Sequence, residues 1–457
     1  MQISNFSFLF LFLPLTLALL WPVRKSLRAQ NALLLALSLG FYACSGLRGL
    51  LIVLAEALSV WGLARLRGRG WKTAGIALCV ASLCYFKYTG FLTENWNSLT
   101  GMALAVPAIA APLGVSFFTF LAVSYLADVR AGRLAPERSF GRLLLYFTFF
   151  PKAAQGPLTR YGEFAPQLAA REPDLPAGIE RFILGLGKKV LLAEAMGKVA
   201  SQVFVLSAVA LTPCKMWLGA VCYALQIFFD FSGYTDMALG LGRMLGFRLP
   251  ENFDFPYMAD SITDFWRRWH MTLSQWFRDY VYIPLGGNRR GKARQILNLC
   301  IVWLLTGLWH GSAWTFVAWG AWYAVLLILE KLFLGRWLQK APKIIRHVYA
   351  LLGILIGWVI FNSPSLGAAG KYLRAMCFLG EGAGADAPFF LLTLRQYGLQ
   401  LAAALALCTP VGKRLLERLE RTTAGRWVKL ILLGLIFALS LLAMTGSTMQ
   451  AFIYAQF

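Results

Sequence analysis

The 457-residue chain is 58% hydrophobic and only 14% charged, which excludes a soluble globular enzyme and indicates a polytopic membrane protein. Its formal net charge of +23, from 44 Lys+Arg against 21 Asp+Glu, would suggest nucleic-acid binding in a soluble protein. Here the basic residues fall in short segments between apolar runs, where the cytoplasmic preference of Lys and Arg accounts for them and no nucleic-acid partner is expected.

In the first 28 residues, "MQISNFSFLFLFLPLTLALLWPVRKSLR", no basic residue precedes the apolar stretch, and Arg24, Lys25 and Arg28 follow it. That order is the reverse of a cleavable signal peptide and predicts a retained first span with its N-terminus outside. Further apolar segments run over 31–46, 47–64, 73–92 and 107–127. Basic clusters at 24–28, at Arg65, Arg67, Arg69 and Lys72, and at Arg130, Arg133, Arg138 and Arg142 follow the first, third and fifth segments. An external N-terminus places all three in the cytoplasm.

The stretch 143–250 is apolar but interrupted by Pro and Gly, and is expected to form short, tilted or re-entrant helices lining an interior. Residues 251–294, with Arg267, Arg268, Arg278, Arg289, Arg290, Lys292 and Arg294, form a polar, mostly cytoplasmic segment. Apolar 296–330 follows, then basic 335–346 and spans near 346–362, 396–411 and 429–446. The basic loop 413–429 is expected inside and the C-terminus outside. No internal repeat is visible. The expected organisation is one membrane domain over 1–457, with its motif-bearing part at about 107–330. The eight cysteines (Cys44, Cys79, Cys84, Cys214, Cys222, Cys300, Cys377 and Cys408) form no CxxC and lie mostly in apolar runs. They are expected to be small core residues, with neither disulfide nor metal.

Only three histidines occur. His310 lies in 296–330, whose 35 residues would give roughly 52 Å of helix against a hydrocarbon core of about 30 Å. Both flanks are basic, so two short helices turning near His310–Gly311 are expected. Two readings of His310 stand side by side from position. In one, Gly307 and Gly311 pack two helices closely and His310 is hydrogen-bonded between them. In the other, an ionisable group at membrane depth serves function.

His270 lies in "FWRRWHMTL" (265–273). Ser261-Ile-Thr-Asp264 resembles a capping box, and a helix from there puts Trp266, Trp269, His270, Leu273 and Phe277 on one face. Arg267, Met271, Ser274 and Arg278 take another face, and Asp264 can pair with Arg267 or Arg268. An interfacial amphipathic helix with a tryptophan belt explains all but His270. Pro284 and "GGN" (286–288) end the segment in a turn. His347, beside Arg346 at the start of a span, is assigned no role.

The stretch Tyr223 to Asn288, "YALQIFFDFSGYTDMALGLGRMLGFRLPENFDFPYMADSITDFWRRWHMTLSQWFRDYVYIPLGGN", resembles the membrane-bound O-acyltransferase (MBOAT) family, in its bacterial branch of alginate and other polysaccharide O-acetylation proteins. "PLGVSFFTFLAVSYLADV" (112–129), "FFPKAAQGPLTRYGEF" (149–164) and "LTGLWHGSAWTFVAWG" (305–320) continue the likeness in the same order. Two departures are Leu121, where the branch usually has Gln, and Lys152 in "FFPKAAQGP".

The resemblance implies an all-α fold, a ring of about 11–13 tilted transmembrane and re-entrant helices around a thinned core with a tunnel. It implies His310 as the intramembrane catalytic histidine and His270 as its polar partner. Desolvation keeps a histidine neutral, and His310 is assigned the general base of acyl transfer. His270 would orient the acyl carbonyl or donate to the oxyanion. Asp230, Ser232, Tyr234 and Asp236, polar in apolar sequence, are candidates for lining the tunnel or supporting it, with structural hydrogen bonding equally open. Trp266, Trp269 and Trp309 are lining candidates.

The implied donor is acetyl-CoA or another cytoplasmic acyl thioester, such as an acyl carrier. CoA recognition comes from the family, since no Gly-rich nucleotide fingerprint is present. The implied acceptor is an exported polysaccharide, reached through a periplasmic esterase-like transferase at the bacterial inner membrane. Acylation of teichoic acid, peptidoglycan or lipid is the nearest alternative. A proton-coupled transporter or flippase is the alternative from another class.

Overall fold

A computed structural model describes residues 2–205, 212–379 and 387–446, and its regular elements among these are all helices. Among the described residues seven helices are long and apolar enough to cross a membrane: Leu47–Arg65, Arg69–Thr100, Pro213–Met244, Trp314–Lys340, Lys343–Asn362, Ala387–Leu407 and Thr423–Thr445. The protein is a multi-pass, all-helical membrane protein. The end of the chain, expected outside, lies beyond the described residues.

The described chain groups into two compact units. The first comprises Met1–Phe182 and Met237–Pro250. The expected span at 107–127 begins later, as the helix Val115–Arg130, which is buried along nearly its whole length. Pro107 and Pro112 remove backbone donors ahead of it. Gly114 has φ +67°, and a side chain there would lie 2.2 Å from the Ala153 carbonyl oxygen. The short elements Phe140–Thr148, Phe150–Lys152 and Tyr161–Phe164 follow. Lys152 is buried, its ammonium 4.1 Å from the Tyr146 ring centre and 4.9 Å from that of Phe164. Leu121 is buried as well.

The second unit comprises Ile183–Asp236 and Glu251–Phe457. The broken-helix reading of 143–250 fails over Pro213–Met244, one continuous 32-residue helix, most of it buried. Its only proline stands at the first helical position, where no hydrogen bond is lost. Its glycines serve packing: a side chain at Gly233 would meet the Gly185 carbonyl oxygen at 2.8 Å.

The cysteine expectation also needs correction. All eight are free, but only Cys79, Cys222 and Cys408 are buried. In a membrane chain, apolar sequence faces lipid as well as core, and Cys44, Cys84, Cys214 and Cys377 are exposed. The basic stretch 413–429 is not all loop either, since it holds most of the Val411–Leu419 helix and the start of Thr423–Thr445.

Candidate active site

All the candidate catalytic and lining residues named from sequence lie in the second unit. The expected turn is present, at 311–313 between the helices Lys292–His310 and Trp314–Leu329, but the helices are not short: the second runs on through a π-turn to Lys340, 27 residues in all. A side chain at Gly307 would stand 2.4 Å from the Phe316 carbonyl oxygen, and one at Gly320 would stand 2.4 Å from that of Trp303. The backbones therefore cross at Gly307 and Gly320. Gly311 is covered by the Phe316 ring, 2.0 Å from where its side chain would start.

His310, the last residue of its helix, is buried among rings: Trp309 at 4.7 Å between centroids, Trp319 at 4.8 Å and Phe361 at 5.3 Å.

The helix expected across 261–277 breaks. Ser261 Oγ caps it, accepting from the Asp264 N–H at 3.0 Å, and Asp264 pairs with Arg268 Nε at 2.9 Å. The helix then stops at Arg268, Trp269 is extended, and His270 takes φ +44°, the left-handed region, before Met271–Phe277 begins. Asn252 causes the break. Its carbonyl accepts from Met271 N–H at 3.0 Å, and its Oδ1 accepts from Thr272 N–H at 3.3 Å and Thr272 Oγ1 at 2.9 Å. These bonds replace continuing helical ones.

Nor is 251–294 simply a polar surface segment: Asn252, Trp269 and His270 are buried, which removes the interfacial-belt reading.

Asn252 also sets the tautomer. A backbone N–H can only donate, so the Thr272 contact fixes Oδ1 as acceptor. His270 Nδ1, 3.0 Å from the same oxygen, is therefore the protonated nitrogen. Nε2 keeps its lone pair and has no hydrogen-bond partner among the described residues. His270 lies outside the spanning helices, and its burial pushes the imidazole down to about 3. A neutral ring of this tautomer accepts at Nε2, so the oxyanion-donor role expected of His270 is not available to it.

Ring contacts draw the predicted residues together. Phe231 packs edge-on to His270 at 4.7 Å, and Trp309 lies 6.1 Å from His270. Trp309 thus contacts both histidines. Trp266 touches Trp303 (4.6 Å), Tyr323 (4.9 Å) and Trp319 (5.7 Å), while Trp269 touches Trp358 at 4.9 Å.

Asp230 and Asp236 pair with lysines instead. Lys189 Nζ reaches Asp230 at 2.7 Å and Glu194 at 2.8 Å, and Lys188 reaches Asp236 at 2.6 Å. Both lysines stand in a π-turn, Lys188–Ala193. Tyr234 and Ser232 are buried on the same Pro213–Met244 helix. His347 donates from Nδ1 to the Ala259 carbonyl oxygen, 3.0 Å away, a structural bond.

Sequence reasoning missed Asn252, Trp319 and Phe361. Trp319 is fully buried, and neither its indole N–H nor that of Trp266 has a hydrogen-bond partner among the described residues. Period-3.6 patterning marks such tryptophans only as apolar.

Residues 70–366 match the model of the membrane-bound O-acyltransferase family. The chain is 39% identical over 400 residues to a probable alginate O-acetylase AlgI of Azotobacter vinelandii, covering 83% of this chain and 79% of that protein. To the probable alginate O-acetylase AlgI of Pseudomonas putida it is 34% identical over 494 residues, covering all of both chains. It is 33% identical over 341 residues to a peptidoglycan O-acetyltransferase of Helicobacter pylori, covering 67% of this chain and 64% of that protein.

Proposed function

The chain belongs to the membrane-bound O-acyltransferase family and is an O-acyltransferase, and from that premise we propose that it moves acetyl groups from a cytoplasmic thioester across the inner membrane for O-acetylation of an exported polysaccharide such as alginate. The observation that carries this is a pair of buried histidines sharing Trp309 within a chain alike along its whole length to a probable alginate O-acetylase. The donor is acetyl-CoA or another acyl thioester, and a periplasmic transferase relays the group to the glycan. Acetyl content of exported polysaccharide and of muropeptides in a deletion strain, with and without the gene restored, tests the acceptor. Restored acetyl on muropeptides alone would move the assignment to peptidoglycan.

His310 takes the proton from the acceptor hydroxyl as its oxygen attacks the thioester carbonyl. The carbon–sulfur bond of the tetrahedral intermediate then breaks, and the thiolate recovers the proton from the imidazolium. His270, accepting at Nε2, orients the hydroxyl or the donor's amide N–H. The oxyanion needs a donor, and the buried indole N–H of Trp319, beside His310, supplies one. Trp319→Phe keeps the ring and deletes the N–H. It should lower transfer about 10²-fold at normal protein level, as loss of one oxyanion donor does elsewhere. An unchanged rate in purified Trp319→Phe protein would remove Trp319 from the mechanism.

The orientation follows from Lys/Arg asymmetry: N-terminus outside, and basic stretches 65–72, 130–142 and 413–429 inside. Single cysteines placed in those stretches, in a protein lacking its native cysteines, should resist a membrane-impermeant thiol reagent applied from the periplasm. Labelling there would reverse the topology.

A further inference from the structure

We infer that Glu330 is a positioning residue for His270; the inference rests on the reading that His270 serves acyl transfer. Glu330 opens a π-turn, Glu330–Leu334, within the Trp314–Lys340 helix that follows His310. Such bulges redirect side chains and recur at functional sites. Gly335 permits this one, since a side chain there would meet the Glu330 carbonyl oxygen at 2.5 Å.

The Glu330 carboxylate is buried and accepts four hydrogen bonds. They come from Ile262 N–H (2.7 Å), Thr263 N–H (2.9 Å), Thr263 Oγ1 (2.5 Å) and Tyr349 Oη (3.1 Å). Ile262 and Thr263 are the first two residues of the Ile262–Arg268 helix. Their N–H groups have no partner within that helix, and Ser261 Oγ serves the next one. The other end of the helix delivers Trp269 and then His270 in its left-handed conformation.

Seven residues make a helix too short to hold itself. Glu330 fixes its start, and Trp266 fixes its side against Trp319 and Tyr323 of the same long helix. Trp319 in turn packs on His310. Glu330 thus sets the His270 segment against the scaffold that carries His310. Slack at the first turn passes along about 10 Å of helix to His270. A displacement near 1 Å at a reacting group costs on the order of 10²-fold in rate.

The test is acyl transfer from an acetyl thioester by purified, reconstituted Glu330→Ala and Glu330→Gln proteins, each made with His270 intact and with His270→Asn. Glu330→Ala should lower kcat about 10–10²-fold with the donor KM little changed. Glu330→Gln, which keeps one acceptor oxygen, should recover part of that loss. With His270→Asn the same Glu330→Ala change should cost under about 2-fold, because both changes act through one group. Equal losses in the two backgrounds, or no loss with His270 intact, would overturn the inference. If Glu330→Ala fails to insert, Glu330→Gln carries the same comparison. Full activity of His270→Asn alone would instead refute the reading of His270, and the inference falls with it.

Discussion

His310→Ala and His310→Gln should insert and purify at the wild-type level, yet lose acyl transfer by at least about 10²-fold, the contribution of a positioned general base. The fold gives a specific reason to expect intact protein. His310 ends its helix, and the hairpin is held by the backbone crossing at Gly307 and Gly320 and by Phe316 over Gly311. None of these needs the imidazole. Glutamine restores most of the volume between Trp309, Trp319 and Phe361, so the second variant separates lost chemistry from a lost ring contact. The measurement is acetyl content of exported polysaccharide in a deletion strain carrying each variant, beside the membrane level of the protein. Full acetylation at normal level refutes the base assignment, and disappearance of the protein assigns His310 to packing.

For His270 the informative pair is asparagine and alanine. The backbone at φ +44° is tolerated by asparagine and costs alanine about 1–2 kcal/mol. His270→Asn should therefore keep its thermal stability near wild type, with transfer reduced at least about 10-fold by loss of the orienting Nε2. His270→Ala should lose transfer to a similar degree and also melt earlier. Normal transfer by the asparagine variant would leave His270 with only a turn-forming part.

The hairpin at His310 was legible because two constraints met there: a 35-residue apolar run too long for one crossing, and basic flanks at both ends. The segment around His270 misled the helical pattern because the deciding partner, Asn252, lies 18 residues away in sequence and bonds to backbone groups that no periodicity reports. Asp230 and Asp236 were visible as polar residues in apolar sequence, but their lysine partners lie 41 and 48 residues earlier, so the ion pairs were not. Glycines misled in the other direction. In Pro213–Met244 they mark close approach rather than interruption, a difference that depends on what stands opposite. Glu330 shows the same limit: its place in an apolar run was plain, while its four donors come from two other parts of the chain.

The glycine crossing that holds the hairpin also bears on redesign of this enzyme for other acyl groups. At 307, 311 and 320 even a methyl group would collide with a carbonyl oxygen or a ring, so these positions are closed to engineering. On the proposed assignment of His310 as the base, room for a bulkier acyl chain beside it has to come from trimming side chains. Phe361, which contacts both His310 and Phe316, is the ring to shorten first, while the indole N–H of Trp319 is kept. A library aimed at donor scope gains by spending its diversity at 361 and leaving the hairpin's backbone contacts untouched.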